Sequence, residues 1–488
     1  MAELDSAVVK SYDIRGTYPD QVDERFAFLL GRALARVLPC ERAAVGCDSR
    51  LSSPSLYAAL AAGFERSGVG VSGLGLCPTE LVYYVLGADS GFDLGVMVTA
   101  SHNPPEYNGF KVVKAGGEPV TGATGLDDAF HLMQGMEADG PLVPRAPMGR
   151  VEAGPDYMDF ALGLVGEPEV EGLRVVADAG NGVGGLLWAL IEDRLGLEPV
   201  KMNFEPDGSF PAHHPDPSRT ENLAALVERV VRAEADAGFA YDGDADRVVV
   251  VMPDGHVVDG SEMTACIAHR MLARDPACAF GVGQTTSRKV LDWFRARGVE
   301  PLIVPVGHAK IKAVLRAEGD LVFAGENAGH YYYRDFFCCD SSLLTTLHLL
   351  HLASSGELGG LVGGFAGPWH RPEREPKIEF DDQGRALEVC RRVALAALEE
   401  YPGPVEVTCE TEGRVLRRCE RADVLESDGV RVDYGDWWFC VRPSGTEPIA
   451  RLSLEARSAA LLQERMDRLL ALFERHRKDD GKVREDCR

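Results

Sequence analysis

Leu94-Gly95-Val96-Met97-Val98-Thr99-Ala100-Ser101-His102-Asn103-Pro104 is the stretch on which the reading of the fold turns. Its first five residues form a short apolar run of the kind that makes a buried strand. The strand is predicted to stop at Asn103-Pro104, because proline cannot donate to a ladder and Asn-Pro favours a turn. Ser101 then stands on an exposed tip at a strand end, with His102 beside it. A hydroxyl placed there can accept and donate a phosphoryl group. The competing reading is a plain polar turn.

Outward from this stretch, strands and helices alternate. Tyr12-Asp13-Ile14-Arg15-Gly16 is turn-like, and residues 22–38 carry Phe26, Leu29, Leu30, Leu34 and Val37 at helical spacing. Ala44-Val45-Gly46 leads into the strand end Cys47-Asp48-Ser49-Arg50, and a helix is expected over 54–67. Tyr107-Asn108-Gly109-Phe110-Lys111 opens a second short strand. The alternation implies α/β layers. Taken singly, Arg15, Arg50 and Lys111 read as solvated surface charges. Residues 139–155, rich in Pro and Gly, look like a linker.

The pattern restarts at the strand Leu173-Arg174-Val175-Val176-Ala177 and the glycine-rich turn Asp178-Ala179-Gly180-Asn181-Gly182-Val183-Gly184-Gly185. Such a turn can hold a phosphate on backbone amides, but it lacks the dinucleotide G-x-G-x-x-G spacing, and tight strand–helix packing is the preferred reading. In the loop 203–217, His213-His214 could suggest a metal; with no Cys or third His nearby, a turn and domain contact is preferred. Residues 221–237 read as an amphipathic helix with Leu223, Leu226, Val227, Val230 and Val231 on one face. Asp242-Gly243-Asp244-Ala245-Asp246-Arg247 then lies between Phe239-Ala240-Tyr241 and a strand over 248–251. Three carboxylates at alternate positions can converge on one hard cation. An EF-hand fails, since positions six and twelve counted from Asp242 hold Arg247 and Pro253. An acidic hairpin turn is disfavoured by the apolar flanks, and Mg²⁺ is the preferred ion because it accepts few carboxylates and keeps water and phosphate oxygen.

A third restart near Asp259 includes Thr285-Thr286-Ser287-Arg288, Val304-Pro305-Val306-Gly307-His308 and the strand Leu321-Val322-Phe323. Gly325-Glu326-Asn327-Ala328-Gly329-His330 follows, a carboxylate and an imidazole framed by glycines. It can bind sugar hydroxyls or be a plain turn. Residues 358–376 mark another linker. Near the end, Arg442-Pro443-Ser444-Gly445-Thr446-Glu447-Pro448 gathers Arg, Ser, Thr and a Gly amide into a compact oxyanion cradle, against the reading of an ordinary turn. A helix over 459–473 and a charged, disordered tail close the chain.

The formal charge of −25 over 488 residues argues against nucleic acid or an anionic membrane as partner. No apolar run reaches membrane-span length and the start lacks a leader's basic flank and apolar core, so the expected location is cytoplasmic. The 12 cysteines include no Cys-x-x-Cys pair and read as reduced core thiols. Nothing in the sequence accounts for the adjacent Cys338-Cys339.

Six stretches in order, YDIRG from Tyr12, TASHNPPEYNGFK from Thr99, DAGNGVGG from Asp178, DGDADR from Asp242, GENAGH from Gly325 and RPSGTEP from Arg442, resemble the α-D-phosphohexomutase family, bacterial phosphomannomutase/phosphoglucomutase group. The resemblance spans nearly the whole chain. It implies an α/β fold of four domains around a central cleft, three similar α/β units (1–150, 151–257 and 258–370) and a smaller α+β unit (371–488). By resemblance, Ser101 is the phosphoserine and, with Asp242, Asp244 and Asp246, a metal ligand. His102, Lys111, Arg15 and Arg247 surround the transfer site. Tyr12, Arg288, His308, Glu326, Asn327, Ala328, Gly329 and His330 bind the sugar, and Arg442, Ser444, Gly445 and Thr446 hold the phosphate that is not reacting.

The implied activity is mannose 1-phosphate to mannose 6-phosphate interconversion through a bisphosphorylated sugar. Mg²⁺ is the implied cofactor, and glucose 1,6-bisphosphate or mannose 1,6-bisphosphate the activator. The implied partner is a hexose phosphate, with no nucleic acid and no membrane, and the protein a monomer or homodimer. Phosphoglucomutase, dual specificity, phosphoglucosamine mutase, a phosphatase and a catalytically silent sugar-phosphate-binding protein are the alternatives. Many relatives have Ser at Ala328 and some have Lys at Thr285, so one sugar contact and one phosphate contact are put in doubt. Asp48-Ser49-Arg50 stands for the usual Asp-Gly-Arg, a change expected to be harmless. The run from Gly329, GHYYYRDF, is closer to bacterial phosphomannomutases and decides the choice of mannose.

Overall fold

The computed structural model describes residues 4–88, 91–145, 148–411, 414–444 and 448–478. The chain divides into two compact units, Met1–Cys278 with Leu315–Val362, and Ala279–Val314 with Gly363–Arg488.

In the first unit a seven-stranded sheet carries the Ser101 stretch. Tyr107–Lys114 pairs antiparallel with Ile14–Thr17 on one side and Leu94–Val98 on the other. Arg42–Cys47 and Gly70–Leu76 continue in parallel, Gly149–Arg150 pairs with Gly70–Leu76, and Glu118–Pro119 pairs with Tyr107–Lys114. Every residue of Leu94–Val98 is buried, as a strand covered on both faces requires. The helix Glu24–Val37 starts at Asp23, whose carboxylate accepts from Phe26 N at 2.7 Å. It packs closely on Ser53–Arg66, and a Cβ on Gly63 would lie 2.1 Å from Phe28 O. Phe26, Leu30, Leu60, Phe64, Val96 and Phe110 belong to the core beneath.

A four-stranded sheet follows, with Ala237–Tyr241 parallel to Val175–Asp178 and antiparallel to Val248–Val251; Val200–Met202 is at the edge. The helix Thr220–Arg232 buries Leu223, Leu226 and Val230 against it. Val231 departs from expectation and is exposed, because it sits on the rim of the apolar stripe in the last turn. Leu321–Gly325, Tyr331–Tyr333 and Cys339–Asp340 form an antiparallel ladder in the same unit.

Both expected linkers hold structure. The first contains the strand Gly149–Arg150 and the start of the helix Gly154–Val165; the second begins inside the helix Glu357–Gly363, where Leu358 and Val362 are buried. In the second unit Ala279–Gly283 pairs in parallel with Leu302–Val304. A separate six-stranded sheet runs Lys377–Glu379, Ile449–Ala456, Trp437–Pro443, Gly429–Asp433, Glu406–Thr411, Arg414–Arg417, every pairing antiparallel. Its core takes residues from the helices Gln383–Glu400 and Ala459–Lys478. The last helix runs on past the expected end at Phe473 to Lys478, so the start of the expected disordered tail is helical; the remainder lies outside the described residues. No helix among those described is long and apolar enough to cross a membrane.

Buried Glu80, on the helix Thr79–Gly87, accepts from Tyr157 Oη at 2.9 Å and from Leu343 N at 3.3 Å, at the start of the helix Ser342–Ser354. Burial pushes its carboxyl up to about 8, against the hydrogen bonds of Ser341, Tyr157 and Leu343. The folded-state pKa is raised, so the stability this group contributes is complete below its unfolded value of 4.5 and is lost as pH rises through about 8. Glu80→Gln and the parent are expected to melt together near about pH 5, with the variant melting higher near about pH 9. Calorimetric Tm values that stay equal at both pH values would refute the assignment.

Candidate active site

The strand before Ser101 ends at Val98, earlier than expected, and Thr99 N still donates to Gly109 O at 3.0 Å. Ser101 is not an exposed tip. It is 1% accessible, because the Asp242 loop packs directly on it. Its Oγ donates to Asp242 Oδ2 at 2.9 Å and lies 3.2 Å from His102 Nδ1. Ser101 has φ 51°, in the left-handed region, and Ala245 in the facing loop has φ 55°. Each such residue costs on the order of 1–3 kcal/mol, so surrounding contacts must hold it.

Glycines make the approach of the two loops possible. A Cβ on Gly243 would lie 2.7 Å from Ser101 O, and one on Gly182 would lie 2.6 Å from Gly243 O. The glycine-rich stretch from Asp178 thus serves tight packing, as preferred from the sequence. His213 Nε2 sits 3.1 Å from Asp178 Oδ2. His213 and His214 belong to no metal-capable cluster among the described residues.

Asp242, Asp244 and Asp246 are all buried, and one oxygen of each lies within 4.8 Å of the others. Lys111 comes from the strand paired with Leu94–Val98, at the register position of Met97. Its Nζ donates to Asp244 Oδ2 at 2.7 Å and to Asp246 Oδ2 at 2.5 Å. Burial works against the ammonium, but the two carboxylates outweigh it and raise its pKa. Burial likewise acts to raise Asp244, and Lys111 overcomes this and holds it well below the usual carboxylate range. Asp242 is pushed up, by burial first and then by Asp246 and Asp244. Asp244 Oδ1 and Asp246 Oδ1 remain buried without a hydrogen-bond partner. Two unpartnered hard oxygens beside a third carboxylate fit a divalent cation of the Mg²⁺ kind.

Four more expected groups, two arginines and two histidines, adjoin this centre. Arg15 donates to Asn103 Oδ1 at 2.8 Å and to Asp13 Oδ2 at 2.7 Å. Neither Arg15 nor Lys111 is the solvated charge that each suggested when read alone. Arg247 Nε lies 3.7 Å from Asp242 Oδ2 and donates to His330 Nε2 at 2.9 Å. His330 must therefore carry its hydrogen on Nδ1, which donates to Asp340 Oδ2 at 2.8 Å. Burial, then the nearby Arg247 and Arg15 charges, hold His102 well below the usual imidazole range, so it is neutral.

Of the GENAGH residues, Glu326 accepts from Tyr332 Oη at 2.6 Å, and Gly329 takes φ 92°. Asn327 is partly committed elsewhere: its Oδ1 accepts from Ser261 N at 2.9 Å and Ser261 Oγ at 2.7 Å. Ala328 is exposed and Tyr12 half-buried. Arg288, His308, Arg442 and Ser444 belong to the second unit. Arg288 is held there by Asp433, with both carboxylate oxygens at 2.8 Å, and by Asp292 at 2.8 Å. His308 heads the helix His308–Ala317, Arg442 ends the strand Trp437–Pro443, and Ser444 N donates to Ile449 O at 2.8 Å. Gly445 and Thr446 lie outside the described residues.

Sequence reading passed over several residues that hold this centre. Thr79 Oγ1 donates to Asp244 Oδ2 at 2.6 Å. Asp340 orients His330, and the left-handed pair Phe337 (φ 55°) and Cys338 (φ 58°) gives the adjacent cysteines a place, in the turn that leads to it. Arg50 is fully buried rather than a surface charge, and its guanidinium donates to four carbonyls of the Ser101 loop. The missing signal is topological. Arg42–Cys47 and Leu94–Val98 are neighbouring parallel strands with Cys47 opposite Val98, so the turns that follow them meet.

Four family descriptions match the chain in order: phosphoglucomutase/phosphomannomutase alpha/beta/alpha domain I over residues 6–127, domain II over 155–255, domain III over 259–362, and the C-terminal domain over 391–472. A phosphomannomutase of Escherichia coli K12 is 33% identical over 94% of this chain and 97% of its own length. A phosphoglucomutase of Neisseria meningitidis is 31% identical over 97% of this chain and 98% of its own. The crystal structure of a phosphoglucomutase/phosphomannomutase family protein from Burkholderia thailandensis superposes with a TM-score of 0.82 at 30% identity, covering 98% of this chain and 99% of that one.

Asp244→Asn and Asp246→Asn should each weaken Mn²⁺ binding by about tenfold or more in electron paramagnetic resonance titrations, as expected when one charged ligand of a hard-cation site is lost. Binding at parental strength in both variants would place the cation elsewhere.

Proposed function

This chain belongs to the phosphoglucomutase/phosphomannomutase family and is a phosphohexomutase, an isomerase; on that premise we propose that it interconverts mannose 1-phosphate and mannose 6-phosphate through phospho-Ser101. The observation that carries the proposal is the contact of Ser101 Oγ with Asp242 at the edge of a buried carboxylate cluster that Lys111 neutralises.

Phosphoryl transfer needs positioning and charge neutralisation more than elaborate covalent chemistry. Bound through Asp242, Asp244 and Asp246, Mg²⁺ would supply positive charge to the phosphoryl oxygens. Lys111 and Arg247 add fixed positive charge around Ser101 Oγ. Neutral His102 offers a hydrogen bond to the same oxygen. The Ser101 Oγ–P bond breaks as a sugar hydroxyl attacks phosphorus, Oγ ends protonated, and the product is a sugar 1,6-bisphosphate. After reorientation, the other phosphate returns to Ser101. Glu326 and His330 bind sugar hydroxyls in this scheme, and the Arg442–Thr446 cradle holds the idle phosphate. Glucose 1,6-bisphosphate or mannose 1,6-bisphosphate primes Ser101.

Mannose is favoured by the run from Gly329, GHYYYRDF. A second reading, glucose phosphate or both sugars, is favoured by the phosphoglucomutase relative at 31% identity, close to the 33% of the phosphomannomutase. A phosphorus NMR time course with Mg²⁺, a trace of glucose 1,6-bisphosphate and either mannose 1-phosphate or glucose 1-phosphate separates them. Conversion is expected in the mannose tube at the higher rate, and Ser101→Ala should abolish it. Faster glucose conversion would transfer the assignment to phosphoglucomutase. Free phosphate outrunning isomerised sugar would make the protein a phosphatase, and full activity in Ser101→Ala would remove the phosphoserine.

A further inference from the structure

The Arg50 guanidinium has five N–H donors, and each has an acceptor. Nε donates to Asp48 Oδ2 at 3.1 Å. Nη1 donates to Pro104 O at 2.6 Å and Tyr107 O at 2.9 Å; Nη2 donates to Ser101 O at 2.8 Å and Asn103 O at 2.6 Å. Four of the five bonds therefore end on the single segment from Ser101 to Tyr107. Asp48 reaches the same segment from the other side. Its Oδ2 accepts from Thr99 Oγ1 at 2.8 Å, and Thr99 Oγ1 accepts from Ser101 N at 2.8 Å. Its Oδ1 is held by Ser53 Oγ at 2.5 Å and Arg50 N at 3.1 Å.

We propose that Arg50 and Asp48 are positioning residues for phosphoryl transfer, gripping Ser101 at both its C=O and its N–H so that its left-handed backbone aims Oγ at the Asp242 cluster. The proposal rests on the reading of Ser101 as the residue that carries the phosphoryl group. Serine in the left-handed region relaxes toward extended or helical backbone unless it is held, and either change swings Oγ away from Asp242. Neither Arg50 nor Asp48 hydrogen-bonds the three-carboxylate cluster, so their action passes through the loop.

The grip is sealed from water. The loop after Asn203 lies over it, with the Phe210 ring 5.3 Å from Arg50 Cζ. A Cβ on Gly208 would meet Leu51 N at 2.3 Å and Arg50 Cα at 2.5 Å, so only glycine lets that loop close. Ser49 Oγ donates to Asn181 O at 3.1 Å on the same side. A desolvated guanidinium with every donor used cannot be replaced by lysine, which has three donors and no planar fork. A pair acting only as a staple between helices or core strands would send most of its bonds to those elements; here four of the five Arg50 bonds go to the Ser101–Tyr107 segment, and Ser53 at the start of the helix Ser53–Arg66 takes only the second Asp48 oxygen.

The test compares the full chain with Arg50→Lys and Thr99→Val, the second removing the hydroxyl between Asp48 and Ser101 N without touching a charge. Each protein is phosphorylated with radiolabelled glucose 1,6-bisphosphate, and steady-state turnover is measured beside the partition of label between sugar and water. Both variants should keep a cooperative melt and a parental KM for hexose 1-phosphate. Their kcat should fall roughly a hundredfold for Arg50→Lys and less for Thr99→Val, as expected for misplacement of the reacting atom. The share of label lost to water should rise severalfold, a change that loss of folded protein cannot produce. Parental kcat and parental partition in folded variants would overturn the proposal and leave the functional reading intact. A parent chain that takes no label on Ser101 would overturn both. If Arg50→Lys does not fold, Thr99→Val decides the matter by the same readouts.

Discussion

Three carboxylates confined within 4.8 Å of one another in a buried site repel, and Lys111 is the group that makes their confinement tolerable. A buried charge without a partner costs several kcal/mol, so the ammonium on Asp244 and Asp246 is a condition for the loop rather than an ornament. Its placement has a second consequence. By occupying one oxygen of each of those residues, it leaves Asp244 Oδ1 and Asp246 Oδ1 unpartnered, which is the donor set a hard cation needs. The unevenness of the site follows as well. Asp244 is driven down by Lys111, while Asp242, without that contact, is driven up by burial and by its two neighbours.

Keeping Lys111 in reach ties the rest of the first unit together. Lysine stands on a strand of one sheet and the carboxylates on the hairpin loop of another, so the two sheets must meet at their strand ends. Glycine at 243 removes the side chain that would hold them apart, and glycine at 182 lets the Asp242 loop settle against the neighbouring loop of its own sheet. Thr79 and Arg247 add contacts to the same carboxylates, and Arg247 carries the connection on to His330 and Asp340. A phosphoryl group on Ser101 would enter a place already lined with matched charge, as transfer through a loose transition state requires.

The net charge of −25 makes this local arrangement more telling. An acidic protein that handles an anionic substrate must gather cations against its own field. Here Arg15, Lys111 and Arg247 are each held by a specific carboxylate or amide partner, so their charge is fixed in place and their side-chain entropy is lost on folding rather than on binding.

Much of this was legible in the residues. Apolar runs ending in Asn-Pro or Asp-Gly located the buried strands and the turns that carry chemistry, since the period and termination of a strand are local properties. The spacing of Asp242, Asp244 and Asp246 pointed to carboxylates able to converge, and one oxygen of each does lie within 4.8 Å of the others. Other conclusions needed the third dimension. Ser101 looks exposed in a strand-end turn and is buried, because whether a turn meets solvent depends on which other loop lands on it. Arg50 looks like a surface charge and is buried, with four of its N–H donors on the Ser101–Tyr107 segment, because Cys47 and Val98 are partners across a parallel ladder that sequence separation conceals. Val231 fits the apolar stripe and lies outside it. The sequence by itself determined the elements and the inventory of reactive groups, which follow from local propensity and chemistry. Only the tertiary structure decided which groups face one another and which are desolvated, because pairing and burial are properties of long-range contact.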